Sequence, residues 1–470
     1  MKMILRLAAL TGLLALAACT SFPHTEKAVA KAEPAAPKLD IQAWHTDGGA
    51  RVLFVHSDAL PMLDVRLVMD AGSARDGGTP GLASMTNALL GEGANGLSVD
   101  DIARGFEDQG ANFSASSYRD MGIIGLRTLS DPQYRDPVVD LFCRVIGQPD
   151  FPQSSLDRIR AQMMQGLRMN QQVPGPQVGD AFQATLFGAH PYAHPSDGTL
   201  KSLPTIERKQ LTDFYQRYYA AGNAVIALVG DIDRQQAEAL ANRISQALPA
   251  GPKAPALPRA KPLAERQVKH LNFPSSQTHI LIGNQATWRG NPDHVALFVG
   301  NQILGGGGFA SILTDEVRQK RGYVYGITSA FQPMAAGGPF TVQLQTANKN
   351  ADQALTLTLN LIRQFINDGP TEAQLQAAKT SILGSFALGT ADNSDILGQL
   401  GAIGFYDLPL DYLQQFNAAV QKVTADDIRR AFQRTVNPDD LAIVSIGPKA
   451  PHIIPDTPQD SDGKTGQQHP

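Results

Sequence analysis

Residues 301–326, NQILGGGGFASILTDEVRQKRGYVYG, hold the residue types in this chain best suited to chemistry. Four consecutive glycines, Gly305, Gly306, Gly307 and Gly308, lead into a helix-compatible run over 309–320. Arg321 and Tyr325 follow, separated by Gly-Tyr-Val. A glycine run lets the backbone turn tightly and lets a second chain come close. A guanidinium and a phenol just beyond it can grip a peptide or polarise a carbonyl. The competing reading of this stretch alone is a glycine-rich connection, a surface arginine and a core tyrosine.

These groups must be positioned by elements drawn from a chain of 470 residues, enough for two to four domains' worth of mass and real cores. Charge is nearly balanced, 40 basic against 44 acidic residues, with no long run of one sign. Nucleic-acid binding therefore has no electrostatic footprint. Nothing in the body of the chain approaches the ~18 uninterrupted apolar residues of a membrane span. The N-terminus differs: Lys2 and Arg6 precede an apolar stretch over 7–18, flanked like a secretory signal. It closes on Leu16-Ala17-Ala18-Cys19, which resembles a bacterial lipobox, with Cys19 as the acylated residue. Several acyl chains would anchor the protein stably. Thr20 after the anchor fits outer-membrane retention on the periplasmic side. Cys143, the second of two cysteines, then has no disulfide partner and reads as a small buried hydrophobe.

Composition divides the chain into a signal peptide (1–18), an Ala/Pro-rich tether (19–40), a first domain (41–250), a linker (251–265), a second domain (266–448) and a disordered tail (449–470). The domains echo each other. Tyr215-Gln216-Arg217 and Phe432-Gln433-Arg434 are each followed, thirteen residues after the Arg, by a glycine closing a β-rich run, Gly230 and Gly447. Gly81-Leu82-Ala83-Ser84 matches Gly308-Phe309-Ala310-Ser311, and the stretch from Gln109 to Phe113 matches that from Arg321 to Tyr325. Three such matches argue for an internal duplication. Strands are expected over 52–55, 63–69, 122–126, 225–229, 279–282, 340–345 and 441–446. Helices are expected after a capping box at Ser98, through Leu156, Ile159, Met163 and Leu167, and over 351–366 and 371–388. The implied architecture is α+β, with two homologous domains, each a sheet backed by helices.

Two echoing halves, a glycine-rich turn before a helix and the late Arg-Gly-x-x-Tyr signature resemble the insulinase/pitrilysin metallopeptidases. That superfamily includes the mitochondrial processing peptidase subunits. Gly72-Ser73-Ala74-Arg75-Asp76, Gly81-Leu82-Ala83, the run from His190 to Pro195, and Phe214-Tyr215 through Asn223-Ala224-Val225 to Val229-Gly230-Asp231 are also similar. The resemblance covers 41–448 and implies a half-clamshell of two mostly antiparallel sheets. Active members carry His-x-x-Glu-His after the Gly-Leu-Ala stretch, two His on one helix face for zinc and a Glu to activate its water. Here those positions read Ser84-Met85-Thr86-Asn87-Ala88, so Ser84, Asn87 and Ala88 mark a degenerate site. The region of the third ligand reads Ala161-Gln162-Met163-Met164-Gln165, with no acid between Asp157 and Asp180. His190 and His194 stand four apart, but Pro191 and Pro195 argue against a helix that would align them. They read as a structural loop, and the remaining histidines as singletons.

The resemblance assigns the second half more. The family's C-terminal domain faces the zinc domain across a chamber and supplies an Arg and a Tyr, which map onto Arg321 and Tyr325. The phenol can donate to the developing oxyanion, and the guanidinium can hold substrate carbonyls. Gly305–Gly308 map to the substrate channel. Small bacterial members occur as heterodimers, one subunit with zinc and the other with the Arg/Tyr pair. The expectation is the second type: no cofactor in this chain, zinc in a homologous partner, an extended peptide as substrate, and no proteolysis alone. The alternative is a non-proteolytic scaffold or peptide-binding lipoprotein of the cell envelope.

Overall fold

The computed structural model describes residues 39–386 and 388–455; Cys19, the leader and most of the tether lie outside the described residues. Six strands form the first sheet: β1 (Gln42–His45), β2 (Arg51–His56), β3 (Met62–Met69), β4 (Asn112–Ser117), β5 (Gly122–Leu129) and β6 (Ala224–Gly230), in the order β1-β2-β6-β3-β5-β4. The helices of this half are α1 (Leu82–Ala88), α2 (Val99–Glu107), α3 (Pro132–Gly147), α4 (Gln153–Asn170), α5 (Pro174–Phe187), α6 (Arg208–Tyr218) and α7 (Arg234–Ala247). The second sheet holds β7 (Gln267–Asn272), β8 (Gln277–Thr287), β9 (Val324–Phe331), β10 (Gly338–Ala347) and β11 (Ala442–Gly447), in the order β9-β10-β8-β11-β7. With it go α8 (His294–Asn301), α9 (Ala351–Asp368), α10 (Glu372–Phe386), α11 (Asn393–Phe405), α12 (Tyr412–Lys422) and α13 (Ala425–Thr435).

The duplication is visible in the pairing. In the first half β2 runs parallel to β6, and β6, β3, β5 and β4 follow as antiparallel neighbours. In the second half β7 runs parallel to β11, and β11, β8, β10 and β9 follow in the same sense. Within these two sheets, β1 is the described strand that lacks a counterpart. Gly110 and Gly322, matched in sequence, both adopt left-handed φ, 64° and 61°, just before the terminal strands β4 and β9. The Gly81/Gly308 match is corrected: Gly81 opens the first of two helices between β3 and β4, whereas Gly308 falls between the two helical segments that join β8 to β9.

Each half lends a helix to the other. From the first half, α5 sets Val178, Phe182 and Leu186 against Leu281, Val444 and Ile446 of the second sheet. From the second, α11 sets Ile396, Leu400 and Ile403 against Leu53, Val225 and Val229 of the first. Helices on both faces explain why every residue of β6 and β11 is buried, and why both read as continuous apolar runs rather than alternating ones.

Local chemistry sets several ends as expected. Ser98 and Asp101 form a reciprocal capping box on α2, and Thr371 and Gln374 exchange bonds ahead of α10. Two expectations fail. The run 309–320 is not one helix: residues 308–310 make a single tight turn, and a π-helical segment spans Thr314–Gln319. The tail is not free from residue 449 onward, since the N–H groups of His452 and Ile454 donate to Asp352 Oδ1 and Thr356 Oγ1 on α9.

Candidate functional site

The second-half site is built around the turn at Gly322. The π-helical segment ends with the N–H of Gly322 donating to Arg318 O (2.9 Å) and that of Tyr323 to Val317 O (3.0 Å). The chain then enters β9, where Val324 pairs with Thr346 and Gly326 with Gln345, so Tyr325 is the extra residue of a β-bulge. A bulge on a terminal strand re-aims a side chain. Tyr325 is 75% exposed, which overturns its reading as a core tyrosine. Its hydroxyl has no hydrogen-bond partner among the described residues. The cation over its ring is Arg318, 5.6 Å from the centroid, and the same guanidinium lies 4.9 Å from the ring of Phe309, itself 68% exposed.

Arg321, on the other side of the turn, faces elsewhere. Its guanidinium donates to the carboxylate and the backbone carbonyl of Glu316, the latter at 3.0 Å. Lys320 joins Glu316 at 2.7 Å. Hydrogen bonds from Lys320, then Arg321, hold the Glu316 carboxyl below its ordinary range. Arg321 lines a groove of about 820 Å³ between the π-helical segment and α9, and Tyr325 does not. The structure thus places the two candidates on one turn but points them apart, with Arg318 between Tyr325 and Phe309.

The glycine run is explained largely by packing inside this half. Gly305 and Gly306 complete the helix begun by α8. A Cβ on Gly305 would sit 2.8 Å from the Ser329 nitrogen of β9, and one on Gly307 would sit 2.4 Å from Gln302 O. Gly308 has φ 59° and is exposed.

Those helices also close the edge of β9. The N–H of Gln332 donates to Pro339 O, which fixes the register so that Ile327 and Ser329 turn their backbone groups away from β10. Thr314 Oγ1 donates to Ile327 O (3.3 Å) and Asn301 Nδ2 to Ser329 O (3.1 Å). On β4, the N–H of Tyr118 donating to Met121 O fixes the matching register, and Phe113, Ala115 and Ser117 turn their backbone groups away from β5. Among the described residues nothing hydrogen-bonds to those backbone groups. One terminal edge is hydrogen-bonded by its neighbouring helices, and its counterpart, with α1 alongside, is not.

The first-half positions do not fit zinc. Asn87 is buried and its amide Nδ2 donates to the hydroxyl of Tyr219 (3.2 Å), which is fully buried. Burial pushes that hydroxyl well above the ordinary phenol range. Ser84 Oγ donates to Asp197 (3.3 Å), and Ala88 offers no donor atom. The two ligand positions, Ser84 and Ala88, thus present no imidazole nitrogen to a cation, and the Asn87 amide at the Glu position cannot take a proton from a bound water. No group of three or more His, Cys, Asp or Glu able to hold a metal occurs among the described residues. The entry to α1 is held by Asp76, whose carboxylate accepts from Gly81 N and Ala83 N at 2.7 Å each. His190 Nδ1 accepts from Tyr192 N (3.1 Å), so its Nε2–H donates to Pro258 O (2.8 Å), as befits a structural loop. Cys143 is half-buried against the first core, and burial raises its thiol to about 12.

Tyr219, Phe309, Arg318 and Glu316 were not legible as site residues. Tyr219 sits at the end of α6 among the aromatics Phe214, Tyr215 and Tyr218 and reads as core. Phe309 follows the left-handed turn at Gly308 to meet Arg318, and Tyr325 joins that cation where the bulge swings it outward.

Comparison with known proteins agrees with this geometry. The insulinase (peptidase family M16) model matches residues 51–199, and the peptidase M16 inactive domain model matches 205–382. A crystal structure of a peptidase M16 inactive domain from Pseudomonas fluorescens is 45% identical, covers 89% of this chain and 100% of that one, and superposes with a TM-score of 0.85. This chain belongs to the insulinase (M16) family. An uncharacterized zinc protease of Mycobacterium leprae is 27% identical over 75% of this M16 chain and 80% of its own length. A non-peptidase homolog from Helicobacter pylori, YmxG, is 24% identical over 85% and 92% respectively. Among these M16 relatives the present chain is a non-catalytic, peptidase-like member.

Proposed function

We propose that this protein is the substrate-binding subunit of a heterodimeric zinc metallopeptidase, completing the chamber of a zinc-bearing M16 homologue and presenting Tyr325 and Arg321 to it. The observation that carries this reading is Tyr325 itself: an unpartnered, exposed phenol on a β-bulge at the end of a sheet. A hydroxyl without a partner can donate to an oxyanion without first breaking a bond. The partner's zinc supplies the activated water, and this chain binds and orients the peptide. The edge of β4 facing α1, not hydrogen-bonded by any described residue, accepts an extended peptide as an added strand, through the outward backbone groups of Phe113, Ala115 and Ser117. Beside the phenol, Arg318 and Phe309 grip the substrate, while Arg321 reaches its carbonyls after leaving Glu316. Cys19 carries the lipid anchor that tethers the pair to the periplasmic side of the outer membrane.

The test is peptide cleavage by this protein alone, by the zinc-bearing partner alone and by the mixture, each with and without chelator. Activity is expected in the mixture only, chelator-sensitive, and reduced about 10²–10³-fold by Tyr325→Phe, the loss typical of one oxyanion donor. Full activity in the Tyr325→Phe mixture would refute the role. A second reading, a peptide-binding scaffold of the envelope without proteolysis, is favoured by the hold of Glu316 on Arg321. It predicts peptide binding that survives in every variant and no cleavage in any mixture.

A further inference from the structure

A second polar site lies away from Tyr325, at the seam between the two halves. A cavity of about 670 Å³ is walled by the first half, by the second half and by the linker between them. Three carboxylates face it, and each is already engaged. Asp70 takes both bonds of Arg75, and Asp407 takes Arg51. Asp120, 4% exposed, accepts from Ala335 N (2.9 Å), from the hydroxyl of Tyr406 (3.1 Å) and from that of Tyr192.

Three cations remain. Lys253 and Arg259 stand on the exposed linker, and Arg289 reaches in from the second half. None forms an ion pair with a carboxylate among the described residues, although Lys253 faces the charge of Asp70 and the Arg289 guanidinium also bonds the hydroxyls of Tyr406 and Tyr412. Arg259 lies over the ring of Trp288 (4.6 Å) and Arg289 over that of Tyr406 (4.9 Å), so both guanidinium planes are held in place. The Arg289 Nε is buried and unbonded. A buried guanidinium N–H without an acceptor is costly, and a cavity with surplus positive charge focuses anions. Val225, Leu257 and Phe405 supply an apolar wall to the same space.

We propose that this cavity binds a small organic oxyanion, a carboxylate or phosphate carried on an apolar or aromatic body. The oxyanion takes Arg289, Lys253 and Arg259, and the body lies against Leu257 and Phe405. Guanidinium forks suit such groups, and the largely charged lining is joined by the apolar faces of Val225, Leu257 and Phe405. The ligand touches both halves and the linker, so its binding stabilises the seam as well as occupying it. This site is independent of the role given to Tyr325.

The test is calorimetric titration and thermal unfolding of the full chain with phenyl phosphate and with phenylacetate, against sodium chloride at matched ionic strength. Saturable heat and a raised Tm with either probe support the site and say which oxyanion it takes. The double variant Lys253→Glu/Arg259→Glu, on exposed linker positions, is expected to keep its Tm without ligand and to lose about tenfold in affinity. Arg289→Ala is expected to abolish the heat. No saturable heat beyond the chloride control, or undiminished affinity in the double variant, would overturn the proposal.

Discussion

Phe113 and Tyr325 hold equivalent places in the two halves, each three residues beyond a left-handed glycine and each on a terminal strand. Phe113 turns inward, stacking on Phe106 at 5.3 Å and meeting Phe142 edge-on at 6.2 Å. Tyr325 turns outward to solvent because β9 carries one extra residue there and β4 does not. The rest of the two sites differs in the same sense. Asn87 and Tyr219 bond each other in the first half, while the Tyr325 hydroxyl has no partner among the described residues. Asn87 is packed and bonded in the core, whereas Tyr325 is exposed on its bulge.

The sharpest break of that comparison is a pair of truncations read by chemical unfolding. Phe113→Ala removes a half-buried aromatic packed against the first core and is expected to cost about 2 kcal/mol. Tyr325→Ala is expected to stay within about 0.5 kcal/mol of the parent, as surface changes do. A large loss in Tyr325→Ala would mean that the bulge is structural. Next comes Tyr219→Phe, which keeps the ring and deletes the acceptor of Asn87. A buried amide left unpaired costs about 1–3 kcal/mol. An unchanged stability would show that water reaches Asn87 and that the first-half site is not sealed.

The pH dependence separates the halves further. Burial raises the Asp76 carboxyl from 3.8 to about 7, against the pull of its bonds from Ala83 and Gly81 and the charge of Arg119. His194, 3.8 Å away, has its own pKa lowered by burial and adds little positive charge at neutral pH. A carboxyl whose pKa rises on folding contributes stability in full below its ordinary value, and loses it as pH climbs through the folded one. Thermal unfolding should therefore show Tm falling between pH 4 and 7 in the parent, and a flatter profile in Asp76→Asn. Parallel profiles would remove Asp76 from the account.

Much of this was legible in the chain. The apolar runs place the inner strands β2, β3, β5, β6, β8, β10 and β11 but not the edge strands β1, β4, β7 and β9, whose half-exposed residues give a weaker pattern. The matched spacing from Arg217 to Gly230 and from Arg434 to Gly447 reveals the duplication. The degenerate positions Ser84, Asn87 and Ala88 were equally plain, since the donor atoms zinc needs are set by residue type. What could not be read is long-range. The exchange of α5 and α11 between halves leaves no local trace, because an apolar helix face does not say which sheet it will meet. Gly81 and Gly308 match in letters yet occupy different joints, since a short glycine motif fits any tight turn. The bulge at Tyr325 is a matter of pairing between strands, so nothing in Val324-Tyr325-Gly326 alone distinguishes an outward phenol from a buried one. For the same reason Arg318 could not be told from Arg321 as the cation beside it.

That last ambiguity yields the smallest expected effect and the finest test. Glu316 holds Arg321, and hydrogen bonds from Lys320 and Arg321 depress its pKa below 4.5. A carboxyl whose pKa falls on folding keeps its ion pair at all pH values above its ordinary one, and releases it only as pH drops through the depressed value. At neutral pH the clamp is therefore fully set. Glu316→Gln removes the charge and keeps the shape, and loss of so exposed a pair should change stability by less than about 1 kcal/mol. If Arg321 must leave Glu316 to reach substrate, cleavage by the mixture should rise severalfold in this variant, equally at pH 6 and pH 8. If Arg318 alone serves beside Tyr325, the variant will match the parent, and Arg318→Ala rather than Arg321→Ala will abolish the activity.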